Sequence, residues 1–136
     1  MTWALAGDLA IAAYLVLLAD VDRRTGRLPN RLLAPLLAIA LAAACVHPPA
    51  VAGALVAATV YLAGFLAHSC GGGDVKLAAG CGALLGSMAA ALLAVAAAAL
   101  LTVVLCLVTR RQAVPHGPAL VAATLAVGML RLLSEL

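Results

Sequence analysis

Asp20 and Asp22 lie in the stretch DVDRRTGRLPN at residues 20–30, and Asp74 lies in GGGDVK at residues 71–76. Both stretches interrupt a chain of 136 residues in which 67% are apolar and only 10% are charged. Ionisable groups at helix ends in a membrane are costly, and they mark a pathway, a proton relay or a catalytic centre. Two carboxylates brought together cannot both ionise cheaply, so one keeps its proton near neutral pH while the other acts as a base toward water. That is the chemistry of an aspartic peptidase, provided the two stretches meet. Asp20 and Asp22 are roughly 200° apart around a helix, so only one of them can face Asp74 if the helix runs through both. Spacing alone leaves open which.

The elements that must position these carboxylates follow from composition. Soluble domains carry roughly 25% charged residues, and with a mean hydropathy of +1.22 this chain reads as an integral membrane protein. Turn and charge clusters cut it into apolar runs at residues 3–21, 31–46, 50–66, 75–86, 88–108 and 117–133. Most approach the ~20 residues that a helix needs to cross a ~30 Å hydrocarbon core. The expectation is an all-α integral membrane protein, a bundle of about six transmembrane helices forming a single domain over residues 1–136. The first run has no basic segment before it, carries Asp8 and is longer than the apolar part of a typical signal peptide, so it is read as helix 1. The fourth run is short, and as a helix it rises only about 18 Å. Either the bilayer thins there or the HSCGGGD loop dips below the membrane surface. Irregular backbone at that depth needs protein or a water-filled cavity around it, which makes the glycine loop a candidate site.

Basic residues set the orientation. Arg23, Arg24, Arg27 and Arg31 fall around the first loop, Lys76 after the third run, and Arg110 and Arg111 in the fifth loop, leaving Arg131 near the C-terminus. Seven of the eight thus share one side, which the positive-inside rule makes cytoplasmic. Both termini are then expected outside, and Asp74 and the first aspartate pair share the cytoplasmic rim. The net charge of +3 belongs to these loops and is explained by anionic lipid headgroups, with no nucleic acid.

The residues around the aspartates resemble a known family. DRRTGRLPN is similar to the first signature of the type IV prepilin peptidases and archaeal preflagellin peptidases, in which an aspartate is followed by a short basic turn, an aliphatic residue, Pro, and Asn or Asp. Asp22 and Asn30 match at that spacing, whereas Asp20 does not. GGGDVKL resembles the family's GxGD signature followed by Lys, with Gly71, Gly73, Asp74 and Lys76 in register. VPHGPAL, residues 114–120, is similar to a Pro-aromatic-Gly-Pro stretch that opens the family's last helix. The resemblance implies a membrane-embedded aspartyl endopeptidase with Asp22 and Asp74 as its catalytic pair. Gly71, Gly73, Lys76, Arg27, Pro29 and Asn30 would bind substrate or support the loops. The implied substrate is a pilin-like or flagellin-like precursor, cut at the cytoplasmic border of its apolar segment, in the plasma membrane.

The sequence also departs from that pattern. Larger members carry a cytoplasmic insertion with paired CxxC motifs associated with N-methylation. Here Cys45, Cys70, Cys81 and Cys106 are scattered singly without metal-ligand spacing. A minimal peptidase with no metal and no cofactor is therefore expected. His116 stands where relatives usually have an aromatic residue.

Several residues have plainer readings. Asp74, after three glycines, can cap the helix that follows, which would hold it rigidly and leave Asp22 to carry the proton. Gly71 to Gly73 can form a tight turn or let a substrate backbone lie close. Asn30 can cap helix 2. Arg23, Arg24 and Arg27 suit topology and headgroups, and Lys76 can pair with an aspartate or with an acidic group on the substrate. Cys70 lacks the arrangement of a thiol peptidase, and the small-residue pair Gly82 and Gly86 says little about dimerisation. Two other classes remain open: a proton-coupled transporter subunit and a non-enzymatic assembly scaffold.

Overall fold

The computed structural model describes residues 2–136, with side chains from residue 5 onward. The described chain folds into α1 (Thr2–Thr25), α2 (Asn30–Val46), α3 (Pro49–Leu66), α4 (Gly72–Leu85), α5 (Met88–Thr109) and α6 (His116–Ser134). No strand forms among the described residues. Among the described residues three helices, α3, α5 and α6, are long and apolar enough to cross a membrane, and α2 is a shorter apolar helix.

The helix limits follow local chain breakers. α1 ends at Gly26, whose φ of 64° is left-handed and whose N–H donates back to the Asp22 carbonyl at 2.7 Å. Pro29, extended at φ −68° and ψ 141°, then sets the start of α2. Pro48 and Pro49 open α3, and Gly86 closes α4 with a φ of 68°. Ser87 begins α5, its hydroxyl accepting the Ala90 N–H at 3.2 Å. Pro115 precedes α6.

α4 is the hub. At 14 residues it rises only about 21 Å, yet it packs against α2, α3, α5 and α6. Leu77, Ala78 and Cys81 of α4 are buried among Leu15 and Leu18 of α1, Leu33 and Leu36 of α2, and Leu120 of α6. Small residues let the neighbours close in. A Cβ at Gly80 would stand 2.7 Å from Leu36 Cγ, so Leu36 seats in the notch that glycine leaves. A Cβ at Gly82 would lie 2.8 Å from the Gly53 carbonyl carbon and 3.0 Å from Ala57 Cβ, so α3 and α4 meet backbone to backbone. The smallness of Gly82 is therefore used inside the chain. The outer face is apolar too: Leu92, Leu93, Leu100, Val103, Val104 and Leu107 of α5 are all exposed. In water such a surface would drive association, whereas lipid tails are as apolar as leucine.

Long-range hydrogen bonds sort the loops into two ends of the bundle. At one end Gly117 N donates to Asp22 Oδ2 (3.0 Å), His116 Nε2 to the Ser69 carbonyl (3.0 Å) and Lys76 Nζ to Asn30 Oδ1 (2.7 Å). These bonds bring the α1–α2, α3–α4 and α5–α6 connections together. At the other end His47 Nε2 donates to the Gly86 carbonyl at 3.0 Å, and the Arg131 guanidinium caps the last carbonyl of α4, that of Leu85.

Candidate active site

Asp22 and Asp20 sit two residues apart near the end of α1, and the fold treats them oppositely. Asp20 points outward and pairs with Arg23 and Arg24, each at 2.8 Å. Such exposed pairs are screened by solvent and add little to stability. Asp22 turns inward and is only 5% exposed. Its Oδ2 accepts the Gly117 N–H, one of the free donors in the first turn of α6. The carboxylate thus meets the positive end of a helix that is not its own. The fit requires glycine, since a Cβ at position 117 would overlap Oδ2 and stand 2.9 Å from Asp22 Cγ.

Asp22 lies just beyond the apolar run that ends at Val21. Burial pushes its carboxyl above the usual range, and the nearby charge of Asp74 pushes it further. The Gly117 N–H and the charge of His116 pull the other way.

Asp74 is held from within its own turn. The N-cap of α4 is Gly71, and Asp74 sits three residues in, its Oδ2 accepting the Gly71 N–H at 3.1 Å. It therefore caps α4 from inside the first turn and is not itself the N-cap residue. The loop before it is tied back to α3: the Ser69 N–H and hydroxyl both donate to the Gly64 carbonyl at 2.9 Å, and the Cys70 thiol donates to the Tyr61 carbonyl at 3.3 Å. Burial and the Asp74 charge push the Cys70 thiol up, so it stays protonated and is a poor nucleophile.

The model of the type IV leader peptidase family matches residues 9–107, a span that takes in both aspartate stretches. The chain belongs to the type IV leader peptidase family. No curated protein and no solved structure matches it. The family match stops short of α6, so the likeness of VPHGPAL rests on those residues alone.

In this leader peptidase the other motif residues divide into those that meet and those that do not. Gly73 lies against the first loop, where a Cβ would stand 3.0 Å from Leu28 Cβ and 3.2 Å from the Leu28 carbonyl. Its missing side chain therefore makes room for this chain's own backbone. Gly71 has a φ of −89°, and a Cβ there would make only ordinary contact, 3.8 Å from Asp74 Oδ2. The three glycines form no left-handed turn, since the positive-φ glycines are Gly26 and Gly86. Asn30 does not cap α2. That place belongs to Pro29, which makes no side-chain cap bond, and the Asn30 amide oxygen is taken by Lys76. Lys76 accordingly bonds an amide and not an aspartate. Arg27 is exposed, and its backbone carbonyl and N–H both bond the Thr25 hydroxyl. Among the described residues no three His, Cys, Asp or Glu come together as a metal site.

Sequence reasoning missed the Gly117 N–H as the group that holds Asp22. A signal was present in the HGP triplet: a glycine in the first turn of a helix offers a bare, free N–H that another element can approach closely.

Proposed function

We propose that the protein is a membrane-embedded aspartyl endopeptidase that removes the leader of a pilin-like or flagellin-like precursor, with Asp22 and Asp74 as the catalytic pair. The observation behind this reading is a buried Asp22 carboxyl raised by burial and by the charge of Asp74, at the end of the bundle where three loops converge. Asp22 then carries the proton and Asp74 is the base. Asp74 takes a proton from water as the water attacks the scissile carbonyl, while Asp22 protonates the carbonyl oxygen. A proton returned to the departing amine completes hydrolysis.

In this reading all six helices lie in the plasma membrane, the two termini are outside and the aspartates face the cytoplasm. The precursor's apolar helix would lie in the bilayer beside the bundle, which puts its basic leader and the cleavage point at the cytoplasmic border. The α1–α2 connection is too short for a CxxC-bearing insertion, and the proposed activity is cleavage alone, without metal, cofactor or methylation.

The test is cleavage of a co-reconstituted pilin-like precursor, read by gel shift and by the mass of the new N-terminus. Asp22→Asn and Asp74→Asn are each expected to lower kcat by a factor of about 10³ or more. Asp20→Asn, which removes only exposed ion pairs, should remain within about threefold of the parent. Cleavage that survives Asp22→Asn or Asp74→Asn sinks the aspartyl mechanism.

A further inference from the structure

A short chain of bonds joins the two carboxyl groups from behind. Asp22 Oδ2 accepts the Gly117 N–H (3.0 Å). The residue before it, His116, donates from Nε2 to the Ser69 carbonyl (3.0 Å). A carbonyl can only accept, so Nε2 carries the hydrogen whatever the charge of the ring. Two residues beyond Ser69, the Gly71 N–H donates to Asp74 Oδ2 (3.1 Å). The Ser69 end is firm because its own N–H and hydroxyl are anchored on Gly64. α1 supplies one carboxyl and α4 the other, and these two helices are not among the strongly packed pairs. α6 packs on both, and His116 is where its N-terminus takes hold of the Asp74 loop.

We propose that His116 is a positioning residue for the carboxylate pair: by tying the start of α6 to the Ser69 carbonyl it sets where Asp22 stands relative to Asp74. The proposal rests on the peptidase reading for its kinetic consequence but not for its geometry. Titratable groups near the bridge include Asp22 from α1, Tyr61 from α3, His68 and Cys70 from the loop, and Asp74 from α4. The charge of Asp74 reaches Asp22, Tyr61 and Cys70, and that of His116 reaches Asp22. Lys76 is engaged by Asn30, and Arg23 and Arg24 by Asp20.

Two substitutions separate the roles of the ring. His116→Phe keeps an aromatic ring and removes the donor, whereas His116→Gln keeps an N–H donor and removes the charge. With full-length protein in proteoliposomes and a co-reconstituted pilin-like precursor, His116→Phe should lower kcat about tenfold or more with KM within about twofold, because the fault lies in the geometry of the reacting groups. His116→Gln should stay within about threefold of the parent in kcat. The second readout needs no cleavage: the titration of Asp22 followed by carbon-13 carboxyl NMR. Both variants remove the imidazole, but only His116→Phe also removes the bond to the Ser69 carbonyl, so the Asp22 midpoint should differ between the two variants. A side chain that merely stabilised the fold would give the two variants the same midpoint.

His116→Phe cleaving at the parental rate overturns the proposal, as does a loss in His116→Gln equal to that in His116→Phe. The same Asp22 midpoint in His116→Phe and His116→Gln overturns it too. If the parent cleaves no precursor, the peptidase reading fails and the titration alone decides the bridge. If His116→Phe does not fold, His116→Ala, which also lacks the donor, takes its place in both readouts.

Discussion

Gly117→Ala is the most demanding perturbation of the site, because it adds one methyl group directly on the carboxyl group of Asp22. The new Cβ would overlap Oδ2 and stand 2.9 Å from Asp22 Cγ and 3.1 Å from Asp22 Cβ. Turning the carboxyl aside does not relieve the contact with Asp22 Cβ, so either α1 or the start of α6 must shift. The shift breaks the 3.0 Å hydrogen bond from Gly117 N. A hydrogen bond to a charged group is worth about 1.5–3 kcal/mol. At about 1.4 kcal/mol per tenfold in rate, losing it in the transition state lowers kcat roughly 10- to 100-fold. The assay is single-turnover cleavage of a saturating pilin-like precursor in proteoliposomes, with thermal unfolding in detergent to confirm a folded variant. The paired control is Gly128→Ala on the same helix, where a Cβ meets nothing within 4 Å and activity should be parental. The pH profile adds a signed check. The Gly117 N–H holds the Asp22 pKa down against burial, so its loss raises that pKa. An Asp22 that must be protonated then keeps the enzyme active to higher pH, and the alkaline limb moves up. Gly117→Ala cleaving as fast as Gly128→Ala would refute the reasoning.

Further outcomes are expected for four substitutions. The Asp22 carboxyl is raised in the folded state, first by burial and then by Asp74, so the folded protein binds more protons than the unfolded chain between the two pKa values. Its stability falls as pH rises through that window. Asp22→Asn removes the effect, and should have a higher unfolding temperature than the parent at neutral pH, with the difference vanishing below the unfolded carboxyl pKa of about 4; an unfolding temperature at or below the parental one at neutral pH would contradict the burial argument. Gly73→Ala presses on Leu28 Cβ at 3.0 Å and should cost about 1–3 kcal/mol in denaturant unfolding. Gly72→Ala, whose Cβ would sit 3.8 Å from a Phe65 ring carbon, should change stability by less than about 0.5 kcal/mol. Gly82→Ala pushes α4 off the Gly53 backbone of α3 and should cost at least about 2 kcal/mol, measurable as a drop in unfolding temperature; equal melting of the variant and the parent would rule out the backbone contact between the two helices.

The sequence by itself determined the six helices and most of their ends, but α1 runs on past residue 21 to Thr25 and α4 starts at Gly72, three residues before the apolar run. Gly26, Pro29, Pro48, Gly86 and Pro115 act on dihedrals and hydrogen bonds within a few residues of themselves, so their effect can be read locally. Apolar runs between such breakers have no alternative to helix in lipid, because each backbone N–H and C=O must find its partner inside the segment. Loops separated by two helices return to the same side, which puts the Asp74 stretch and the first aspartates at one end of the bundle. The choice of Asp22 over Asp20 came from resemblance to a family.

What only the tertiary structure decided is what each polar group meets. Gly117 and Asp22 are 95 residues apart, His116 and Ser69 are 47 apart, and Lys76 and Asn30 are 46 apart. Nothing in the neighbourhood of Asn30 says that its oxygen will serve a lysine on α4 in place of its own helix. Nothing near Gly73 says that its missing side chain will be filled by Leu28. Propensity and capping act over one helical turn, whereas burial depends on which faces the packed helices present to one another. The inward turn of Asp22 onto the start of α6, and the outward turn of Asp20 onto its arginines, are consequences of that packing.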